Sequence, residues 1–180
     1  MTAVSFESVP YPGRPVPWAS PAGLAWTSFS HGGPWLDPCS PLRVLDVGCG
    51  DGAHILPLAF FHRSSHFVGV DSSASALLFA RGVRKELGLD NLELVEADLA
   101  AFEADEPFDI IVAHGVYSWV DAERRRALRR LIGGSLADGG LSFVSWNALP
   151  GWSIRGRVRD ALLRSPNLPS EDAPDGLAES

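Results

Sequence analysis

The sequence holds only two cysteines, Cys39 and Cys49, and neither stands in a C-x-x-C pair or beside a histidine cluster. That spacing excludes a zinc site and a disulfide scaffold; no metal is expected, and the expected compartment is the cytoplasm. Lysine is nearly absent: Lys85 stands alone among the 15 basic residues, the rest being arginine, which reads as genomic bias. Positive charge is scarce as well. Fifteen bases face 22 acids for a net charge of −7, whereas a binder of phosphate backbones wants a basic face, so no nucleic-acid partner is expected. Long apolar runs are missing too. The longest, Ile55 to Phe61, falls far short of the ~18–20 residues that cross a bilayer. Residues 1–10 lack the basic and apolar regions of a leader peptide, and no membrane association is expected.

What is present suits an ordinary globule. The 180 residues are 46% apolar and 21% charged, enough for one domain with its own core. Residues 1–40 form a Pro-rich extension. Pro10 to Pro17 is predicted to run extended, because each proline fixes φ and lacks an N–H. A short helix follows, with Ser20 as N-cap and Pro21 at its first position, ended by Gly32-Gly33-Pro34. A regular alternation begins at Leu42. Strands are predicted at Leu42–Val47, His66–Val70, Asn91–Val95, Phe108–Ala113 and Leu141–Trp146. Helices are predicted at Asp51–Phe61 (with Pro57 straining its middle), Ser73–Leu87, Asp121–Leu136 and Ser153–Arg164. Apolar strands alternating with helices predict an α/β fold, a doubly wound parallel sheet covered on both faces, over residues 41–164. Residues 165–180 hold three prolines and four acids with no base, and are expected to be a disordered acidic tail.

The informative segment is Val44-Leu45-Asp46-Val47-Gly48-Cys49-Gly50-Asp51-Gly52. A strand runs into glycines that permit a tight turn and close ligand approach, and a helix follows. Taken alone, the glycine spacing also fits a dinucleotide. Charge decides between the two ligands. A pyrophosphate here would face Asp46 and Asp51, and like charges ~4 Å apart repel by ~4 kcal/mol at an effective dielectric of ~20. A nucleoside carrying an ammonium and a sulfonium would be attracted instead. Asp71, at the tip of the second strand, can accept from both ribose hydroxyls with Ser72 beside it. Asp98, after the third strand, can accept from an adenine amine with Leu99 beside it. The ordered series carries more weight than any member. Structural roles stand beside these assignments: Asp71 as a cap before Ser73, Asp98 as a turn residue, Cys49 as a small core filler.

These residues resemble those of the class I S-adenosylmethionine-dependent methyltransferases, whose sheet is Rossmann-like. Ala113-His114-Gly115-Val116-Tyr117-Ser118-Trp119-Val120 and Asn147-Ala148-Leu149-Pro150-Gly151-Trp152, with Pro10-Tyr11-Pro12, resemble a narrower group: bacterial methyltransferases with an extra C-terminal regulatory domain, some of which methylate protein lysines. The resemblance covers about residues 8–163 and implies S-adenosylmethionine as cofactor, held by Asp46, Gly48, Cys49, Gly50, Asp71, Ser72, Asp98, Leu99 and His114. Two departures are noted. The regulatory domain is expected to be absent and the sheet to be truncated after the fifth strand, leaving an open edge for a second copy or a partner chain.

Strand four ends at Ala113-His114, so His114 is expected beside the reactive methyl as a base, or else as a structural residue. Tyr117 is the second catalytic candidate. Trp119, Tyr11 and Asn147 are candidates for the acceptor side, with core packing or a turn as their alternatives. No (Asp/Asn/Ser)-Pro-Pro-aromatic run follows strand four, which argues against nucleobase amines and glutamine amides as acceptors. A protein or small molecule is expected instead. Arg124, Arg125, Arg126, Arg129 and Arg130 crowd one helix, as a solvated face or as a docking patch for an acidic protein. A non-catalytic binding or interaction module is the alternative reading, and an NAD-linked oxidoreductase a remote one.

Overall fold

Alternate residues along the central strands feed two separate apolar clusters. Val44, Phe67, Ile110 and Val112 enter one; Leu45, Val47, Val68, Val70, Ile111 and Ala113 enter the other. Strand side chains alternate between faces, so both faces of this sheet must be covered by helices. A computed structural model describes residues 13–154 and 157, in two units, the first ending at Trp146 and the second beginning at Asn147.

The first unit is built on five parallel strands: β1 (Arg43–Val47), β2 (His66–Asp71), β3 (Leu92–Glu96), β4 (Phe108–Ala113) and β5 (Leu136–Val144). Their order is β3-β2-β1-β4-β5. Helices α1 (Pro21–Ser30), α2 (Ile55–Phe61) and α3 (Ala74–Glu86) supply the first cluster through Leu24, Ile55, Leu56, Ala59, Leu77 and Ala80. Helix α4 (Ala122–Ser135) supplies the second through Leu128 and Leu131. The N-terminal extension is part of this core, since Val16 and Ala19 are buried in the first cluster.

Local signals set the helix starts. Ser20 accepts the Gly23 N–H at 3.2 Å with Pro21 at the first position, Ser73 accepts the Ala76 N–H at 3.3 Å, and Asp121 accepts the Arg124 N–H at 2.9 Å. Two elements differ from expectation. Helix α2 begins at Ile55, because Gly52 has φ +79° and cannot be helical. Pro57 therefore lies in the first turn, where an N–H has no intrahelical acceptor, and strains nothing. Strand β5 begins at Leu136, directly after α4, and a register shift between Phe108 and Ile110 absorbs Asp138-Gly139-Gly140 as a bulge. That glycine pair reads as a loop in sequence; Gly139, with φ +77°, makes the bulge possible.

The second unit opens with a turn closed by Trp152 N–H to Ala148 O and Ser153 N–H to Pro150 O, both at 2.9 Å. Ser153, Ile154 and Arg157 are helical. The rest of the helix expected to Arg164, and the expected tail at 165–180, lie outside the described residues. Among the described residues no helix is long and apolar enough to cross a membrane.

Phe67 lies fully buried at the centre of the first cluster. Phe67→Ala is expected to cost ~3–5 kcal/mol, read as a lower urea midpoint; a loss under ~1 kcal/mol contradicts this packing.

Candidate functional site

The sheet order reverses between β1 and β4, and in open α/β sheets ligands bind at such a reversal, beyond the C-terminal strand ends. Three glycines after β1 adopt left-handed backbone: Gly48 at φ +73°, Gly50 at +54° and Gly52 at +79°. Gly48 is also demanded by space, since a Cβ there would lie 2.4 Å from Val116 Cγ2. The loop after β4 thus sits directly against the glycine loop.

Asp46 is 4% exposed, between Gly69 on β2 and Val112 on β4. Burial, and then the charge of Asp71, push its carboxyl up to about 7. Asp71 holds the loop in place: one carboxylate oxygen accepts the Gly50 N–H and the other the Ser73 N–H, both at 2.8 Å. Asp71 thus braces the loop and the entry to α3, whose N-cap is Ser73 and not Asp71, and each oxygen keeps a further lone pair for a ligand hydroxyl. Ser72, beside it, is exposed. The Cys49 thiol is buried over Gly69, where a Cβ would come within 2.9 Å of it. Burial, then Asp46 and Asp71, hold that thiol far above its ordinary range, so it is a packing group and not a nucleophile.

Asp98 is more engaged than its sequence position suggests. One oxygen accepts the Ala100 N–H at 2.8 Å; the other accepts Arg124 Nε–H at 3.0 Å and also Arg124 Nη2–H. The Arg124 hydrogen bond, foremost, holds its pKa below the usual carboxylate value. Leu99 packs against the second apolar cluster. His114 is exposed, its ring stacked 6.1 Å from that of Phe143, and the Gly115 N–H donates to Ser145 Oγ at 2.8 Å. Tyr117 is clamped by α4: its carbonyl accepts Arg125 Nε–H and its hydroxyl Arg129 Nη1–H, both at 2.9 Å, with the Arg125 guanidinium 5.5 Å from the ring centre. Three arginines of the supposed solvated face thus hold Asp98 and Tyr117. Trp119 is 54% exposed, its N–H bonded to Val116 O. Asn147 belongs to the second unit, and Tyr11 lies outside the described residues.

One residue escaped the sequence reading. His54, two residues past the loop, is 9% exposed, and its Nδ1 accepts the Val16 N–H at 3.3 Å. Burial first, then the charge of His114, push its pKa down to about 4. The signal available was a polar ring placed just before the apolar run Ile55–Phe61.

A carboxylate-lined glycine loop at the reversal of a parallel sheet defines a nucleoside-binding α/β domain. Residues 40–132 match the family described as "Methyltransferase domain", and the chain belongs to that family, in the class I S-adenosylmethionine-dependent group. It is 31% identical to the uncharacterised protein RP028 of Rickettsia prowazekii over 166 residues, covering 89% of this chain and 64% of that one. Among solved structures it resembles PKMT2 from Rickettsia typhi in complex with AdoHcy, with a TM-score of 0.80 and 30% identity over 86% of this chain and 30% of that one. A shorter match, 39% over 79 residues and 44% of this chain, is to Ribosomal RNA small subunit methyltransferase G of Yersinia pseudotuberculosis, of which it covers 38%. The chain thus spans from under a third to just under two thirds of the two Rickettsia relatives.

The Asp46 shift has a thermodynamic sign. Unfolded, the carboxyl loses its proton near its ordinary value of 3.8; folded, it keeps it to about 7. The ligand-free protein should therefore lose stability between pH ~4 and ~7, by at most ~1.4 kcal/mol per pH unit. Urea unfolding of wild type against Asp46→Asn at pH 5, 6 and 7 isolates this contribution. Parallel pH profiles for the two proteins refute it.

Proposed function

We propose that this domain binds S-adenosylmethionine and transfers its methyl group to a protein or small-molecule acceptor in the cytoplasm. The observation that carries the reading is the buried Asp46 carboxyl beneath the glycine loop, beside Asp71. Two acids at one turn oppose a diphosphate and suit an ammonium and a sulfonium. The residues fit the group by their chemistry: left-handed glycines leave the loop backbone free of side chains, and Asp71 retains acceptor capacity for ribose hydroxyls. Cys49 contributes its backbone only. Asp98 offers a remaining lone pair to an adenine amine while Arg124 fixes its rotamer, with Leu99 supplying an apolar neighbour.

When bound, the cofactor supplies a methyl carbon activated by positive sulfur. The work of this chain is to hold that carbon in line with the acceptor atom, a contribution of up to ~7–11 kcal/mol in favourable cases. His114 is exposed at the end of β4 and takes the proton that a nitrogen or oxygen acceptor must lose. Tyr117, with its hydroxyl already accepting from Arg129, keeps its own O–H to donate. Trp119, exposed on the loop after β4, faces the acceptor in this reading. A nucleic-acid acceptor is disfavoured by the net charge of −7. Strand β5, at the edge of the described sheet with Asp138, Gly139 and Ser142 exposed, pairs with a second copy or a partner chain in this reading.

Calorimetry tests the reading. S-adenosylmethionine should bind and NAD should not. Because a cationic ligand favours ionised Asp46, binding should release a proton, and affinity should fall up to tenfold per pH unit below about 7. His114→Ala should slow methyl transfer ~10²–10⁴-fold. Binding of NAD in preference to S-adenosylmethionine defeats the proposal, and unchanged turnover removes His114 from it.

A further inference from the structure

The segment Gly13–Val16 is tied twice, to the glycine loop at Asp51 and just past it at His54. The Gly13 N–H donates to one Asp51 carboxylate oxygen at 3.2 Å, while the other accepts the Ala53 N–H at 3.1 Å. The Val16 N–H donates to Nδ1 of the buried His54 at 3.3 Å. An Nδ1 that accepts must be unprotonated, so the His54 proton sits on Nε2, and the Ala19 backbone also interacts with the ring. The fit at Gly13 is tight, since a Cβ there would lie 2.0 Å from Asp51 Oδ1. Val16 and Ala19 then anchor the segment in the apolar core. His54 follows the glycine loop by two residues, so the tie lies at that loop.

We propose that Asp51 and His54 are positioning residues: they latch the strap Gly13–Val16 to the glycine loop, and strap seating and S-adenosylmethionine binding reinforce each other. Neither residue needs to touch the ligand. Asp51 lies between Gly50 and Gly52, both left-handed, so a carboxylate pulled away by a lost strap lets the loop relax out of its binding shape. Linkage then works both ways: a ligand that orders the loop also holds the strap. The inference rests on the cofactor reading above.

The test combines amide hydrogen exchange with calorimetry on the full chain. In wild type, the Gly13 and Val16 amides should be protected, and more so with S-adenosylmethionine present. Gly13→Val, which drives the Asp51 carboxylate away, and His54→Leu, which deletes the Val16 acceptor, should weaken S-adenosylmethionine binding roughly 5- to 50-fold, within the ordinary range of coupling between sites. His54→Asn, which restores an acceptor near Nδ1, should recover most of that loss. Gly13 is half-buried and belongs to neither apolar cluster, so its variant spares the core that His54→Leu disturbs. Wild-type affinity in Gly13→Val overturns the latch as a positioning device while leaving the cofactor reading intact. Unprotected Gly13 and Val16 amides in wild type overturn it as well. Failure of the wild type to bind S-adenosylmethionine overturns the cofactor reading, and the coupling with it.

Discussion

A carboxyl group taken out of water at the foot of a glycine turn organises this molecule. Asp46 is buried between β2 and β4, and Asp71 stands close enough to raise its pKa further. An acid in that position is held against two penalties, desolvation and like charge. A positively charged ligand relieves both. These resting electrostatics are the basis of the proposed preference for a cation over a phosphate.

The surrounding structure keeps that crevice in shape with few parts. Asp71 spends both oxygens on backbone N–H groups, one in the glycine loop and one before α3. Val116 fills the space that any side chain at Gly48 would need, so the loops from β1 and β4 fix each other. Arginines of α4 hold Asp98 and Tyr117 from the other side, and the strap at Gly13–Val16 closes on Asp51 and His54. Polar groups with fixed partners specify one arrangement, which a site that discriminates by charge requires.

Much of this was legible in sequence, where the cause is local. Strand β4 runs from Phe108 to Ala113 as its apolar run predicts, and the caps Ser20, Ser73 and Asp121 act on N–H groups three residues away. The glycine loop and its acids were legible because residue type and order suffice. What stayed hidden depends on distance along the chain. The ties from Gly13 to Asp51 and from Val16 to His54 each span 38 residues, and that from Arg124 to Asp98 spans 26. A crowded arginine helix reads as solvated until its partners are seen. The early start of β5 was hidden for another reason: Asp138-Gly139-Gly140 is turn chemistry that the fold uses as a bulge inside a strand.

The most direct test is a carbon-13 NMR titration of the Asp46 side-chain carboxyl, with and without S-adenosylmethionine. The account predicts a midpoint near 7 in the free protein, falling by at least one pH unit once the cationic ligand is bound. A midpoint near the ordinary carboxylate value in the free protein, or one that rises on ligand binding, contradicts it.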